Sequence, residues 1–363
     1  MVIEERKGMA KVNDFLTRVK YVTKSGKPKL ILRIIKSYWN IKVHHKIPPK
    51  YIDFAFDYTC NLNCKGCFAK AFSKDNRNRS QMSLEDYKRV IKEARALGCI
   101  DFNFQGGEPL LPLLLPKLEQ LIKFTNPEEN LVAITTNGTY LNEENVKKLK
   151  KWRLDMVVVS LDSGIAEEHD KYRGVQGTWE KATKGIDIAL KNGLRVAVNT
   201  ILTHEYLHSD SFMKLIEFCE KRKIVVNTLL PVPIGSWENN PNIILSDDDL
   251  DYLNELRKKH LIMRRDEDST LTKWGCPAGK EEFHINAYGD VIPCAFLHIT
   301  FGNVLKEPLA VIHERMMKFD YFSPNSWREC LLADRNFMNK YIKSIKENKE
   351  KPIDYSKVDW LND

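Results

Sequence analysis

Tyr51-Ile52-Asp53-Phe54-Ala55-Phe56-Asp57-Tyr58-Thr59-Cys60-Asn61-Leu62-Asn63-Cys64-Lys65-Gly66-Cys67 is an apolar run that ends in a loop carrying three cysteines. Its first six residues read as a buried strand. Strand-like segments recur downstream at Ile100–Phe104, Leu131–Thr135, Met156–Leu161, Leu194–Ile201 and Ile224–Leu229. They are rich in Val, Ile and Phe and nearly continuous in apolar character, as expected where helices cover a parallel sheet. Helical patterns separate them at 83–97, 113–124, 143–152, 178–192 and 209–222. Ser83 and Asp86 have capping-box spacing, and Gly98 stands at the far end of that helix. Six strand–helix units predict an α/β fold, a partial (β/α)6 TIM barrel, with its chemistry at the carboxyl ends of the strands. Cys60 follows the first strand, Gly106-Gly107-Glu108 the second and Asn137 the third. Ser160 and Asp162 follow the fourth, and Asn199 lies at the end of the fifth.

Outward from the barrel, the chain divides into a basic helical arm over 1–49, the barrel over 50–235, a small α+β unit over 236–335, and a helix with a tail over 336–363. The first 50 residues hold thirteen Lys/Arg against Glu4, Glu5 and Asp14, a balance of +10 in a chain whose net charge is +8. The rest is therefore close to neutral, and no nucleic-acid partner is expected. Within the arm, Leu30 to Trp39 reads as a basic amphipathic helix. Such a helix either lies on an anionic membrane or caps the catalytic domain with its lysines in water. No apolar run reaches the roughly 18–20 residues of a membrane span, and MVIEERKGMAK has no apolar signal core. A cytoplasmic location is expected. Reduced thiols follow, so the eight Cys are better read as ligands or core residues than as a disulfide framework.

Three thiols on one short loop are more informative than four. Four-Cys sets make closed zinc sites or electron-transfer clusters, whereas three leave one iron of a [4Fe–4S] cluster open. A zinc knuckle completed by a distant His is the competing reading. With its Cys-x3-Cys-x2-Cys spacing, this stretch resembles the signature of the radical SAM superfamily, and the resemblance extends over residues 50–335. It implies a [4Fe–4S] cluster on Cys60, Cys64 and Cys67, with S-adenosylmethionine chelating the open iron. Reductive cleavage would give a 5′-deoxyadenosyl radical that abstracts a substrate hydrogen. An external electron donor of flavodoxin or ferredoxin type is implied as well. Gln105-Gly106-Gly107-Glu108-Pro109 resembles the family's GGE motif, in which Glu108 would hold the methionine ammonium. Ser160, Asp162 and Asn199 take ribose-facing positions, and Arg173 resembles the arginine that pairs with the methionine carboxylate. Most members carry an aromatic residue before the third cysteine. Gly66 stands there in this chain, and Phe68 is the expected substitute for packing adenine.

Cys276, Cys294 and Cys330, with Tyr288-Gly289-Asp290 as a hairpin turn, resemble a SPASM or twitch extension. This implies a second, auxiliary iron–sulfur cluster held by three Cys. Ala333 stands where a further Cys is expected, so the fourth iron site is either open to substrate or filled by a non-Cys ligand such as Asp334 or a His. Cys99 and Cys219 read as core residues. His204, His208, His284 and His298 are assigned no role. The expected activity is oxidation of a small or anionic substrate with help from the auxiliary cluster. The alternatives are redox-neutral radical chemistry, modification of a ribosomal peptide or lipid, and, remotely, a non-catalytic metal-binding protein.

Overall fold

The computed structural model describes residues 26–44, 47–73, 79–238, 240–265, 275–323 and 330–362. Six parallel strands alternate with helices: β1 (Tyr51–Asp57), β2 (Asp101–Gly106), β3 (Leu131–Thr136), β4 (Met156–Ser160), β5 (Arg195–Ile201) and β6 (Val225–Leu229). Between them run α2 (Leu84–Leu97), α3 (Leu115–Phe124), α4 (Glu143–Lys151), α5 (Ala166–Arg173), α6 (Thr178–Lys191) and α7 (Asp210–Arg222), after the amino-terminal α1 (Pro28–His44). The Ser83–Asp86 capping box forms, and Gly98 closes α2 at φ 108°, a conformation that strongly favours glycine.

Beyond β6 the sheet continues through α8 (Asp247–Lys259) into β7 (Met263–Arg264). At its other edge the carboxyl-terminal region inserts β8 (Glu282–Ile285) parallel to β1, with Phe54 opposite Ile285. β9 (Val291–Ile292) pairs antiparallel with β8 and completes the expected hairpin. The nine strands thus form one sheet in the order β7-β6-β5-β4-β3-β2-β1-β8-β9. A parallel pair, β10 (Ile299–Thr300) and β11 (Ile353–Asp354), flanks α9 (Leu309–Met316) and α10 (Arg335–Glu347).

The strands are less uniformly apolar than their composition suggests. Ile52, Phe54, Phe56, Phe102, Phe104, Val132, Ile134, Val157 and Val159 are buried against the helices. The alternate residues Asp53, Asn103, Gln105, Thr135, Ser160, Asn199 and Asn227 line an internal cavity. Period-two alternation therefore separates a helix-facing apolar layer from a cavity wall in which these polar groups alternate with apolar side chains such as Met156, Val158 and Leu229. The polar groups satisfy one another. Asn103 Nδ2 donates to Asp53 Oδ1 at 2.6 Å and to Thr135 Oγ1 at 3.0 Å, and Asn227 Nδ2 donates to Asn199 Oδ1 at 2.8 Å.

Helix α1 closes the amino-terminal end of the barrel. Leu30 is fully buried, and Ile31 and Ile34 line the floor of the cavity. Lys27 Nζ, just before the helix, meets Asp155 Oδ2 at 2.6 Å and the Asn130 carbonyl at 2.9 Å. Arg33 donates to Asn130 Oδ1 and to the carbonyls of Arg95 and Cys99. The capping arrangement expected of this helix is present. Its outer face nevertheless leaves Leu32, Trp39 and Val43 exposed, at 66%, 62% and 48%, while Ile35, also exposed, lies at the cavity edge beside Ile31 and Ile34.

Candidate active site

The loop after β1 carries Cys60, Cys64 and Cys67 to the wall of a cavity of about 890 Å³. Phe68, Gly106, Gly107, Ser160, Asp162, Arg173 and Asn199 line the same cavity, so the structure brings these residues to one place. Burial raises the Cys60 thiol to about 11 and lifts that of Cys67 as well.

The glycines of the GGE turn are required by the backbone beside them. A Cβ on Gly106, at φ 134°, would lie 2.1 Å from the Asp57 carbonyl oxygen, and one on Gly107 would lie 2.0 Å from that of Thr59. The turn is tied to that same stem, since Gly107 N donates to Asp57 O and Glu108 N to Thr59 O, each at 2.8 Å. Glu108 is fully buried. Its Oε1 accepts from Leu110 N at 2.9 Å and Thr136 Oγ1 at 2.6 Å, and its Oε2 accepts from Asn137 N at 2.7 Å. Asn137 Nδ2 in turn donates to Asn61 Oδ1 at 2.9 Å, within the cysteine loop. Glu108 thus reaches the loop through Asn137, a link that motif reading does not disclose.

Arg173 pairs with Asp162 and donates from Nη1 to Cys64 Sγ at 3.6 Å. Burial alone would lower its pKa, but Asp162 and Cys64 outweigh burial and keep the guanidinium charged. Asp162 is held between Arg173 and the Ile201 N–H. Arg173 Nε and Tyr172 Oη are buried without a hydrogen-bond partner.

The absence of an aromatic residue at position 66 has a steric cause. A Cβ there would stand 2.1 Å from Tyr172 Oη and 2.6 Å from the ring of Trp237. Two aromatic rings, edge-to-face at 6.3 Å, already fill the space above Gly66. Tyr172 lines the cavity and is a site candidate that sequence reading missed. Phe68 packs instead against Phe296, at 5.5 Å between ring centroids.

In the carboxyl-terminal region Cys294 follows β9, and burial raises its thiol pKa, with Glu282 and Cys276 adding to the shift. Cys330 precedes α10. Asp334, a candidate fourth ligand, caps α10 by accepting from Phe337 N at 3.0 Å. Cys99 and Cys219 are fully buried and outside the cavity, in keeping with core packing. His284 and His298 are buried, and desolvation lowers each to about 3.

Residues 56–219 match the family model of the radical SAM superfamily, and residues 276–332 match the SPASM iron–sulfur cluster-binding domain. The chain belongs to the radical SAM superfamily. An AdoMet-dependent heme synthase of Methanosarcina barkeri is 25% identical over 300 residues, 75% of this chain and 84% of that protein. A GTP 3′,8-cyclase of Clostridium perfringens is 31% identical over 199 residues, 54% of this chain and 60% of that one. SuiB of Streptococcus suis, solved with its precursor peptide, has the same fold at a TM-score of 0.57 and 18% identity, covering 77% of this chain and 67% of its own. anSMEcpe with bound AdoMet matches at 0.56 and 19%, over 85% of this chain and 88% of that one.

The cofactors of this radical SAM enzyme are S-adenosylmethionine with its [4Fe–4S] cluster and an auxiliary iron–sulfur cluster in the SPASM region. The donors suit such groups. Three thiols face one cavity, with the buried, unpartnered Arg173 Nε close by. No helix among the described residues is long and apolar enough to cross a membrane.

Proposed function

We propose that this enzyme dehydrogenates a small polar or anionic substrate, with its auxiliary cluster as the internal electron acceptor. The observation that carries this reading is the aromatic bridge between the two cysteine loops. Phe68 adjoins Cys67, Phe296 lies two residues beyond Cys294, and the rings meet at 5.5 Å on the cavity wall. An acceptor held by Cys276, Cys294 and Cys330 is thereby close to the substrate space. When bound, the two clusters and S-adenosylmethionine supply hydrogen-atom abstraction and one-electron uptake, so that the substrate loses one hydrogen atom, one electron and one proton. An external donor of flavodoxin or ferredoxin type would reduce the first cluster.

The chain's own part is to bind and orient. Cys60, Cys64 and Cys67 hold the first cluster, and Gly106 and Gly107 admit the methionine end against the main chain. Glu108 takes the methionine ammonium from behind that turn, where Leu110, Thr136 and Asn137 fix its carboxylate. Ser160, Asp162 and Asn199 receive the ribose, Arg173 receives the carboxylate, and Tyr172 with Phe68 encloses the adenine. Arg264, Arg265 and Lys50 share the cavity wall with Asp53, Asp101 and Glu282, and with Asn103 and Asn227 this mixed lining suits a polar substrate.

The test is anaerobic turnover of reconstituted enzyme with fractionated polar metabolites, followed by mass spectrometry. The expected product is two mass units lighter than its precursor. Cys294→Ala should still form 5′-deoxyadenosine but no lighter product, and Cys330→Ala serves as the second variant if the first does not fold. A product isomeric with its precursor, or full oxidation by both variants, would overturn the reading.

A second reading concerns location. The exposed Leu32, Trp39 and Val43, flanked by Lys29 and Lys36 in an arm of charge +9, support peripheral contact with anionic lipid.

A further inference from the structure

Among the described residues, and apart from the cysteines, one constellation gathers metal-ligating side chains. Thr203 caps a helical turn, His204–Leu207, directly after β5. It places His204 and His208 four residues apart on one face, with ring centroids separated by 4.9 Å. Asp249, from the first turn of α8, faces them. Its Oδ2 accepts the Ser246 N–H at 2.9 Å in a capping box. Its Oδ1 lies 2.8 Å from His204 Nδ1 and 2.8 Å from His208 Nε2.

The three donor atoms all lie within 4.8 Å of one another, the only such group among the described residues. The carboxylate is 4% exposed and fixed from behind, whereas the rings are 64% and 40% exposed. Tyr252 stacks on His208 at 4.6 Å and 21°, setting that ring's plane. Each ring nitrogen lies at hydrogen-bond distance from Oδ1; an ion seated among the three donors with bonds of about 2.1 Å would replace those two contacts, the donors opening to about 3.4 Å in tetrahedral geometry.

We propose that His204, His208 and Asp249 form a site for a divalent transition-metal ion of the zinc class, distinct from both iron–sulfur centres. Two imidazoles with one carboxylate favour such an ion over magnesium or calcium, which prefer oxygen ligands. Water completes its coordination through the solvent-facing side of the rings. The ion fastens the turn after β5 to α8, which are separated by more than forty residues of chain. Asn199 and Ile201, at the end of β5, line the substrate cavity, so the fastening bears on the active-site rim. It takes no part in radical chemistry.

The test uses reconstituted holoenzyme, in which the clusters occupy their cysteines. Anaerobic calorimetric titration with Zn²⁺ should show one saturable site per chain that excess Mg²⁺ does not block. Saturating Zn²⁺ should also raise the melting temperature, because only the folded chain presents the three donors together. His204→Gln/His208→Gln should retain wild-type iron and sulfide, bind Zn²⁺ at least tenfold more weakly and lose the thermal shift. Asp249→Asn should weaken Zn²⁺ binding likewise. Absence of saturable binding to the wild type, or equal affinity in the double variant, overturns the proposal. Neither outcome depends on turnover, so failure here is separable from failure of the proposed dehydrogenation.

Discussion

Substituting Gly66 by alanine tests whether Tyr172 and Trp237 supply the aromatic wall that position 66 lacks. The added Cβ would meet Tyr172 Oη at 2.1 Å and the Trp237 ring at 2.6 Å, each more than 0.5 Å inside ordinary contact. The tyrosine must swing into the cavity or the loop must lift. Overpacking of this kind costs about 1–3 kcal/mol. Charged to ligand binding, that weakens S-adenosylmethionine roughly 5- to 150-fold. Tyr172→Phe removes an oxygen that is buried without a partner, so by itself it should change binding by less than about 0.5 kcal/mol. In the Gly66→Ala/Tyr172→Phe double variant the closest clash is gone while the Trp237 contact stays. The double variant should recover about 1 kcal/mol, visible as a non-additive double-mutant cycle. Equilibrium binding of S-adenosylmethionine to anaerobically reconstituted protein, with iron counted in every variant, measures this. Gly66→Ala binding within twofold of wild type, or a double variant no tighter than Gly66→Ala, would refute the reasoning.

Lys27→Met leaves Asp155 buried without its ammonium and should destabilise the docking of α1 by about 3–5 kcal/mol; hydrogen exchange along α1 reads this out, and unchanged protection would count against the floor role of the helix. Burial raises Asp101 from 3.8 to about 6, so its contribution to stability is fully present below pH 4 and is lost as pH rises through 6. Asp101→Asn should therefore be more stable than wild type at pH 8, by at most about 3 kcal/mol, with the gap closing below pH 4 in denaturant titrations. Leu32→Ala/Trp39→Ala removes two exposed apolar groups from α1 and should lower binding to anionic vesicles at least tenfold in sedimentation; equal sedimentation would remove the case for lipid contact. Gly107→Ala drives a Cβ into the Thr59 carbonyl, so the reconstituted protein should lose iron from the first cluster while keeping the auxiliary one.

The order of strands and helices was legible because each element announces itself locally. Val/Ile/Phe runs, the Ser83–Asp86 box and Gly98 act within a few residues, and all six barrel strands appear where the pattern predicts. The three-cysteine loop is equally local, and its place after β1 follows from the alternation alone. The helix of the arm was legible too, but not that its Lys27 and Arg33 would bind the barrel floor.

Tertiary structure decided what depends on residues distant in sequence. Position 66 is filled by Tyr172 and Trp237, which arrive from α5 and from the chain beyond β6. The strands carry a set of inward polar groups, Asp53, Asn103, Gln105, Asn199 and Asn227, which pass unnoticed in apolar runs until the fold decides which side chains face the cavity. β8 joins β1 across more than two hundred residues, bringing the auxiliary cysteine loop against Phe68. His204 and His208 carried a four-residue spacing that the sequence left without meaning, and Asp249, on another helix, supplies it. Local propensity depends on neighbours in the chain and can be read in order. A cavity or a ligand set depends on which surfaces meet, and that is settled only when the chain folds.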